Sequence, residues 1–231
     1  MARMLDLTRS WKFFAAFLAL ALLAFWPTYL SQVRASSFHT HLHAASAAAW
    51  MLILVLQSWA IGARRVALHK LFGKLSYLLA PLVLVSILLL GHERIRGVEG
   101  EAYAVQTYIL YLQLSLAVLF GLSYGLAIWT RRSVALHSRF MVCTALTLVD
   151  PVVIRLLFWI DPTPEWNYQW LTFGLTDLVL VALIWAERAN RAGRGVFPSM
   201  LMLFVLAQAP ALLGLTDGSL WQGFARWFAG L

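Results

Sequence analysis

The chain has 231 residues, of which 61% are hydrophobic and only 12% are charged, and its mean hydropathy is +0.76. A soluble domain of this length could not bury so much apolar surface, so the composition excludes an ordinary water-soluble protein. The net charge of +8 comes from basic residues at the ends of apolar segments, which indicates membrane topology and argues against a nucleic-acid partner.

Seven apolar segments predict an all-α integral membrane protein, with residues 1–231 forming a single membrane domain in the lipid bilayer. Each segment has about the length of a membrane-crossing helix, and none alternates apolar and polar residues as a barrel strand does. The first segment is long for a signal peptide and lacks a clear cleavage site, so we expect a retained helix. The segments are 14–31, 41–62, 71–91, 104–129, 140–160, 168–186 and 198–215.

The basic residues predict the orientation of these seven helices. Thirteen of the eighteen Lys and Arg residues fall on one side of the predicted bundle, four fall on the other, and Arg155 lies within a segment. Cytoplasmic loops are enriched in Lys and Arg, so we expect an N-in, C-out protein of a bacterial inner (plasma) membrane. The residues placed inside are Arg3, Arg9, Lys12, Arg64, Arg65, Lys70, Lys74, Arg131, Arg132, Arg139, Arg188, Arg191 and Arg194.

An internal repeat organises the middle of the chain. The segment Arg64-Arg65-Val66-Ala67-Leu68-His69 returns about 67 residues later as Arg131-Arg132-Ser133-Val134-Ala135-Leu136-His137. The repeat predicts two tandem helical hairpins, residues 38–100 and 101–160, which form a core four-helix bundle from the second to the fifth predicted helix. It also places His69 and His137 in equivalent positions, where two histidines could hold a haem or a metal ion between them.

The fifth predicted helix carries a polar stripe that begins at His137. Met141, one turn further, is a candidate soft ligand, although a methionine in such a position more often only packs. Arg155 lies eighteen residues after His137, or five complete turns, and therefore shares its face. A charge in lipid needs compensation, so we expect Arg155 to pair with Asp177, or Asp150 or Asp177 to be protonated. Arg155 could instead serve a proton relay or contact an anionic group such as a haem propionate.

The second predicted helix opens with three histidines, His39, His41 and His43. Imidazole groups at this spacing are candidate ligands for a copper, zinc or iron ion. The alternative is that they are interfacial histidines among headgroups and water. On a helix His39 and His43 begin one stripe, which continues through Ser46, Trp50 and Gln57. His43 lies about 28 Å from His69 along the helix axis, so the two groups of histidines cannot share one ion.

The histidine motifs resemble those of a bacterial family of membrane proteins of unknown function, and the likeness covers about residues 38–160. The family offers no established activity. The motifs follow a histidine-led second helix and read His69-x3-Gly73 with Tyr77, and His137-x3-Met141 with Arg155.

Paired histidines on a bundle of two similar hairpins also resemble, in architecture only, the b-type cytochromes and haem A synthase. This resemblance implies a haem b held by His69 and His137. It does not extend to a second haem, because the repeat aligns His39 with Gln106 and His43 with Leu110.

The C-terminal tail, residues 217–231, has aromatic and aliphatic side chains at helical spacing, which predicts an amphipathic helix on the outer membrane interface. These side chains are Trp221, Phe224, Phe228 and Leu231.

The sequence thus favours a haem- or metal-binding membrane protein related to redox chemistry or electron transfer. One alternative is a non-catalytic accessory subunit whose partners are other subunits of a larger membrane complex. Another is a small transporter that uses Asp150, Arg155 and Asp177. A zinc-dependent seven-helix hydrolase is disfavoured, because the last predicted helix has no histidine. Whether the protein is an enzyme is left open.

Overall fold

The computed structural model describes residues 10–163 and 165–231, and these residues form helices and loops without strands. Two short 3-10 helices, Leu30–Ala35 and Leu215–Asp217, lie among the α-helices. The α-helices are α1 (Ser10–Ala24), α2 (Phe38–Gly62), α3 (Val66–Ile95), α4 (Gly100–Trp129), α5 (Val134–Leu146), α6 (Val149–Ile160), α7 (Gln169–Ala186), α8 (Val196–Leu212) and α9 (Ser219–Ala229).

Five helical spans in the described residues are long and apolar enough to cross a membrane: α2, α3, α4, α7, and α5 with α6 taken together. Helices α1 and α8 are also apolar but shorter, at 15 and 17 residues. Large apolar side chains remain exposed on the outer faces, such as Leu78 at 75% and Val118 at 68%. In water such surfaces would be costly, and in lipid they are not. The predicted class, an all-helical multi-pass membrane protein, is confirmed at this level.

The helices from α2 to α5 pack in sequence, each against the next. Helix α1 lies against α2 and α6, while α8 lies against α4, α5 and α7. The bundle therefore has two ends, which we call the basic end and the α9 end. The loops after α2, α4 and α7 lie at the basic end, and most of the predicted inside arginines and lysines are there. Arg3 and Arg9 lie outside the described residues.

The predicted fifth helix is interrupted, and residues Thr147 and Leu148 separate α5 from α6. The cause is Pro151, because proline has no backbone N–H and its ring conflicts with the carbonyl group four residues earlier. The expected stripe from His137 to Arg155 is therefore divided between two helices. Sequence periodicity missed this break because apolar residues continue on both sides of it.

The helix within the C-terminal tail, α9, is docked onto the ends of α3 and α4. The Trp221 indole N–H donates a 3.1 Å hydrogen bond to the Thr107 carbonyl, and the ring of Phe228 contacts His92 edge to face. Leu220 and Trp227 on the same helix remain exposed. One face of α9 thus packs on the protein, and the rest presents apolar groups at the α9 end.

A buried ion pair joins α5 to the end of α7 at the basic end. The Arg139 Nε–H donates to the Glu187 carboxylate, and Arg139 Nη1 donates to the carbonyl of Ala135. Arg139 is only 6% exposed and Glu187 only 8%. The loop between α7 and α8 covers this pair, with Gly193 directly above the guanidinium group.

Substituting Gly193 by alanine is expected to destabilise the protein by about 1–3 kcal/mol. Gly193 has φ +76°, and an added Cβ would lie 3.0 Å from Arg139 Nη1 and 3.1 Å from the Ala135 carbonyl oxygen. Thermal unfolding in detergent measures the change. Gly195→Ala is the matched control, because Gly195 has φ −76° and its added Cβ meets nothing within 4 Å. Equal unfolding midpoints for the two variants would contradict the expected strain.

Candidate functional site

The two histidines of the internal repeat lie side by side at the basic end. Each is the fourth residue of its helix, since α3 and α5 both begin Val-Ala-Leu-His. The ring centroids of His69 and His137 are 6.4 Å apart, and the ring planes are nearly perpendicular, at 88°. Equivalent positions in the repeat have therefore become neighbours in space.

The hydrogen bond of His137 defines which of its ring nitrogens is free. Its Nδ1 lies 2.9 Å from the backbone carbonyl oxygen of Ala127, at the end of α4. A carbonyl oxygen only accepts, so Nδ1 carries the proton, and in the neutral imidazole Nε2 keeps its lone pair. Histidine ligands of metals commonly donate their second N–H to a backbone carbonyl in this way. The ring is thus oriented with one nitrogen available.

His69 has the complementary feature, a buried nitrogen without a partner. Its Nδ1 is shielded from solvent and makes no hydrogen bond. The ring lies beside the backbone of Gln57 on α2, and the Gln57 side-chain oxygen Oε1 is also buried without a partner. The Gln57 amide lies beside Gly73, one turn after His69, with Nε2 3.5 Å from where a Cβ would be. Buried polar groups are usually satisfied, so these two atoms keep unused bonding capacity.

Aromatic and polar side chains continue from the histidine pair into the interior of the bundle. Trp50 is fully buried and packs edge to face on Phe120 and Tyr124, and its indole N–H has no partner. The Tyr124 hydroxyl shares a 3.0 Å hydrogen bond with Ser76. Met141 packs against this cluster. The predicted α2 stripe of Trp50 and Gln57 therefore faces the bundle interior.

The three histidines that begin α2 do not converge on one point. His39 Nδ1 lies 3.6 Å from the Glu93 carboxylate, His41 Nδ1 is 3.0 Å from the Tyr29 hydroxyl, and His43 Nδ1 is 3.1 Å from the Ser86 hydroxyl. The residues are already helical, so the ring of His41 points away from the other two. Within residues 10–163 and 165–231, no group of three or more His, Cys, Asp or Glu side chains is arranged to hold a metal ion.

Arg155 is not paired with Asp177, contrary to the expectation from the sequence. Its Nη1 donates a 2.7 Å hydrogen bond to the Pro151 carbonyl, and its guanidinium carbon lies 4.3 Å from the centre of the Phe25 ring. Asp177 instead accepts a 3.0 Å hydrogen bond from Gln208 on α8. The reason is packing, because α1 covers the face of α6 that carries Arg155, while Asp177 faces α8. Arg155 lies towards the α9 end, away from the histidine pair.

Several polar contacts of the core were missed by sequence reasoning. The Ala127 carbonyl that orients His137 is a backbone group and has no side-chain signal. The partner of Arg139, Glu187, lies 48 residues away along the chain. Asp150 receives hydrogen bonds from Gln169 and Thr172, whose spacing of three residues near the start of α7 was the only available hint.

Comparison of the chain with protein-family models finds no match. No curated protein and no solved structure shows significant similarity to it. The functional interpretation therefore depends on the residues and their geometry.

Proposed function

We propose that this protein binds a redox-active haem b through His69 and His137, and that it takes part in electron transfer at the membrane. The observation that carries the proposal is the pair itself, two histidines from equivalent positions of a repeat with their rings 6.4 Å apart. A metal-bound histidine pair is typical of electron-transfer haem proteins.

The separation of the two rings fits coordination to one metal. An imidazole–metal bond is about 2.0 to 2.1 Å long, and a ring nitrogen lies roughly 1.1 Å from the ring centre, so two histidines that share one metal have ring centres at most about 6 Å apart. The observed distance of 6.4 Å is close to this value. The Nε2 lone pair of His137 and a ring nitrogen of His69 would bind the metal.

The small number of ligands favours haem over a bare metal ion. Zinc in a protein normally has four ligands, or three and a water. Around His69 and His137 the described part of the chain supplies no third His, Cys, Asp or Glu for such a set. Haem iron already has four porphyrin nitrogens and needs only the two histidines. Copper, zinc or iron alone remains the second possibility, and the Met141 thioether is its only soft candidate on the same helix face.

The residues around the histidine pair suit a cofactor that transfers electrons while it is shielded from solvent and substrates. The haem would supply a one-electron couple, and this chain's residues would hold and insulate it. On the α3 face beside the pair, Gly73 lies against the Gln57 amide and Ser76 bonds to the Tyr124 hydroxyl, so polar groups line this side of the histidines. Trp50, Tyr124 and Met141 form the apolar wall towards the bundle interior.

We further infer that all seven predicted spans cross the membrane, with α1 and α8 as short spans and with the α2–α3 and α4–α5 hairpins as the tandem core. The basic end is assigned to the cytoplasm of a bacterial inner membrane by the excess of Lys and Arg. The histidine pair then lies near the cytoplasmic face. Membership of the bacterial membrane-protein family of unknown function, which the histidine motifs resemble, is likewise a proposal.

Optical spectra of the purified protein, oxidised and reduced with dithionite, test this function together with metal analysis of the same sample. We expect a Soret band that shifts on reduction and about one haem per chain. Adding hemin to protein purified without haem controls for loss of cofactor. Failure to bind haem under both conditions, or a metal ion whose binding is lost only on substituting His39, His41 or His43, would overturn the proposal.

A further inference from the structure

A second polar site lies away from the histidine pair, in a small cavity where α4, α7 and α8 meet the junction of α5 and α6. Most of its wall is apolar. The cavity is large enough for about one water molecule or an ion of similar size. The polar side chains that line it are Ser115, Asp150, Thr176 and Gln208.

Asp150 carries a carboxylate into this cavity with half of its bonding capacity unused. The side chain is only 5% exposed. The Gln169 amide and the Thr172 hydroxyl both donate to Oδ1, whereas Oδ2 has no hydrogen-bond donor among the described residues. Arg155 forms no ion pair with it, because its guanidinium is directed to the Pro151 carbonyl and the Phe25 ring. A buried carboxylate in a membrane segment needs a closer positive charge or a proton.

The two hydroxyl groups of the cavity have already used their donors elsewhere. The Ser115 hydroxyl donates to the Leu112 carbonyl, and the Thr176 hydroxyl donates to the Thr172 carbonyl. One Gln208 amide N–H donates to Asp177, and the Gln208 carbonyl oxygen accepts no hydrogen bond among the described residues. What these groups can still offer is oxygen lone pairs. Such a lining attracts a cation and repels an anion.

The position of the cavity in the fold also suits a cation. Leu146 ends α5 and Asp150 begins α6, and both line the cavity from opposite sides of the helix break. Discontinuous membrane helices hold ion sites because their ends place backbone dipoles and side chains around a central point. A single carboxylate with neutral oxygen ligands matches one positive charge, whereas a calcium ion usually takes six to eight oxygen ligands.

We propose that this cavity binds a single dehydrated monovalent cation of about the size of sodium, with Asp150 as the charged ligand and Ser115, Thr176 and Gln208 as neutral oxygen ligands. The site is independent of the histidine pair and of the proposed haem.

Thermal unfolding of the full-length protein in detergent tests the proposal, with sodium chloride replacing choline chloride at constant ionic strength. A ligand that binds only the folded state multiplies the folding equilibrium constant by about 100-fold at 100 times its dissociation constant. We expect a saturable rise of the unfolding midpoint with sodium, and a smaller rise with potassium. Asp150→Asn, which preserves shape, should abolish the response to sodium.

Two further variants keep the result interpretable. Ser115→Ala removes one neutral ligand without touching the carboxylate, and it should weaken the apparent affinity for sodium by about tenfold. Glu165→Gln, at an exposed residue of the loop after α6, is the control and should respond like the parent protein. An equal effect of sodium and choline, or a sodium response that survives Asp150→Asn, would overturn the proposal, since Asp150 would then hold only a proton or a water molecule. The haem spectrum of each variant should be unchanged.

Discussion

Replacing Glu187 by alanine is expected to lower the free energy of unfolding by about 3–5 kcal/mol, because it leaves the buried Arg139 guanidinium without its counter-charge. Arg139 is 6% exposed and Glu187 8% exposed, so water cannot replace the lost carboxylate. For a chain of this length the loss corresponds to a fall of roughly 6–20 °C in the unfolding midpoint. Thermal unfolding in detergent, followed by circular dichroism, measures it.

A double variant separates the cost of an unpaired charge from the value of the pair. Arg139→Met with Glu187→Leu removes both charges, and its stability should recover most of the loss, because a buried ion pair is often no better than apolar packing. Arg132→Ala, which removes an exposed arginine at the same end, should change stability by less than about 0.5 kcal/mol. If Glu187→Ala were as stable as Arg132→Ala, the Arg139–Glu187 pair would not stabilise the packing of α5 against α7, as its burial indicates.

Alanine in place of either His69 or His137 is expected to remove nearly all of the bound haem. Each histidine supplies one of only two protein ligands. Among the described residues, no third His, Cys, Asp or Glu joins the pair to replace a lost ligand. The readout is the Soret absorbance per chain, together with the reduced-minus-oxidised spectrum. Loss of the oriented Nε2 of His137 and loss of a ring nitrogen of His69 should have the same effect.

Histidines at the other end of the bundle provide the control for that experiment. His41→Ala removes an imidazole that contacts only the region of Tyr29, so its haem content should equal that of the parent protein. Size-exclusion chromatography and circular dichroism show whether each variant remains folded. Added imidazole should restore part of the haem signal in the two alanine variants, which a merely unfolded variant cannot show. Full haem content in both His69→Ala and His137→Ala would exclude the assignment.

The break after α5, which the sequence did not predict, and the charge partner of Arg155 show where local sequence patterns stop being informative. Apolar periodicity ran through residues 140–160 as one segment, yet Pro151 ends the hydrogen-bonding pattern that joins α5 to α6. The need to compensate a charge in an apolar helix suggested an ion pair between Arg155 and Asp177. The actual neighbours, Phe25 and Gln208, depend on which helix covers each face, and a single sequence does not contain that information.

The sequence by itself determined the membrane class, because lipid requires long apolar helices, and it determined the equivalence of His69 and His137, because a repeated segment puts the same residue at the same place in two helices. Only the tertiary structure decided that these two rings meet at 6.4 Å, while His39, His41 and His43 separate towards three partners. The physical reason is that helical periodicity defines the face on which a side chain lies, but the packing of α1, α4 and α8 decides what that face touches.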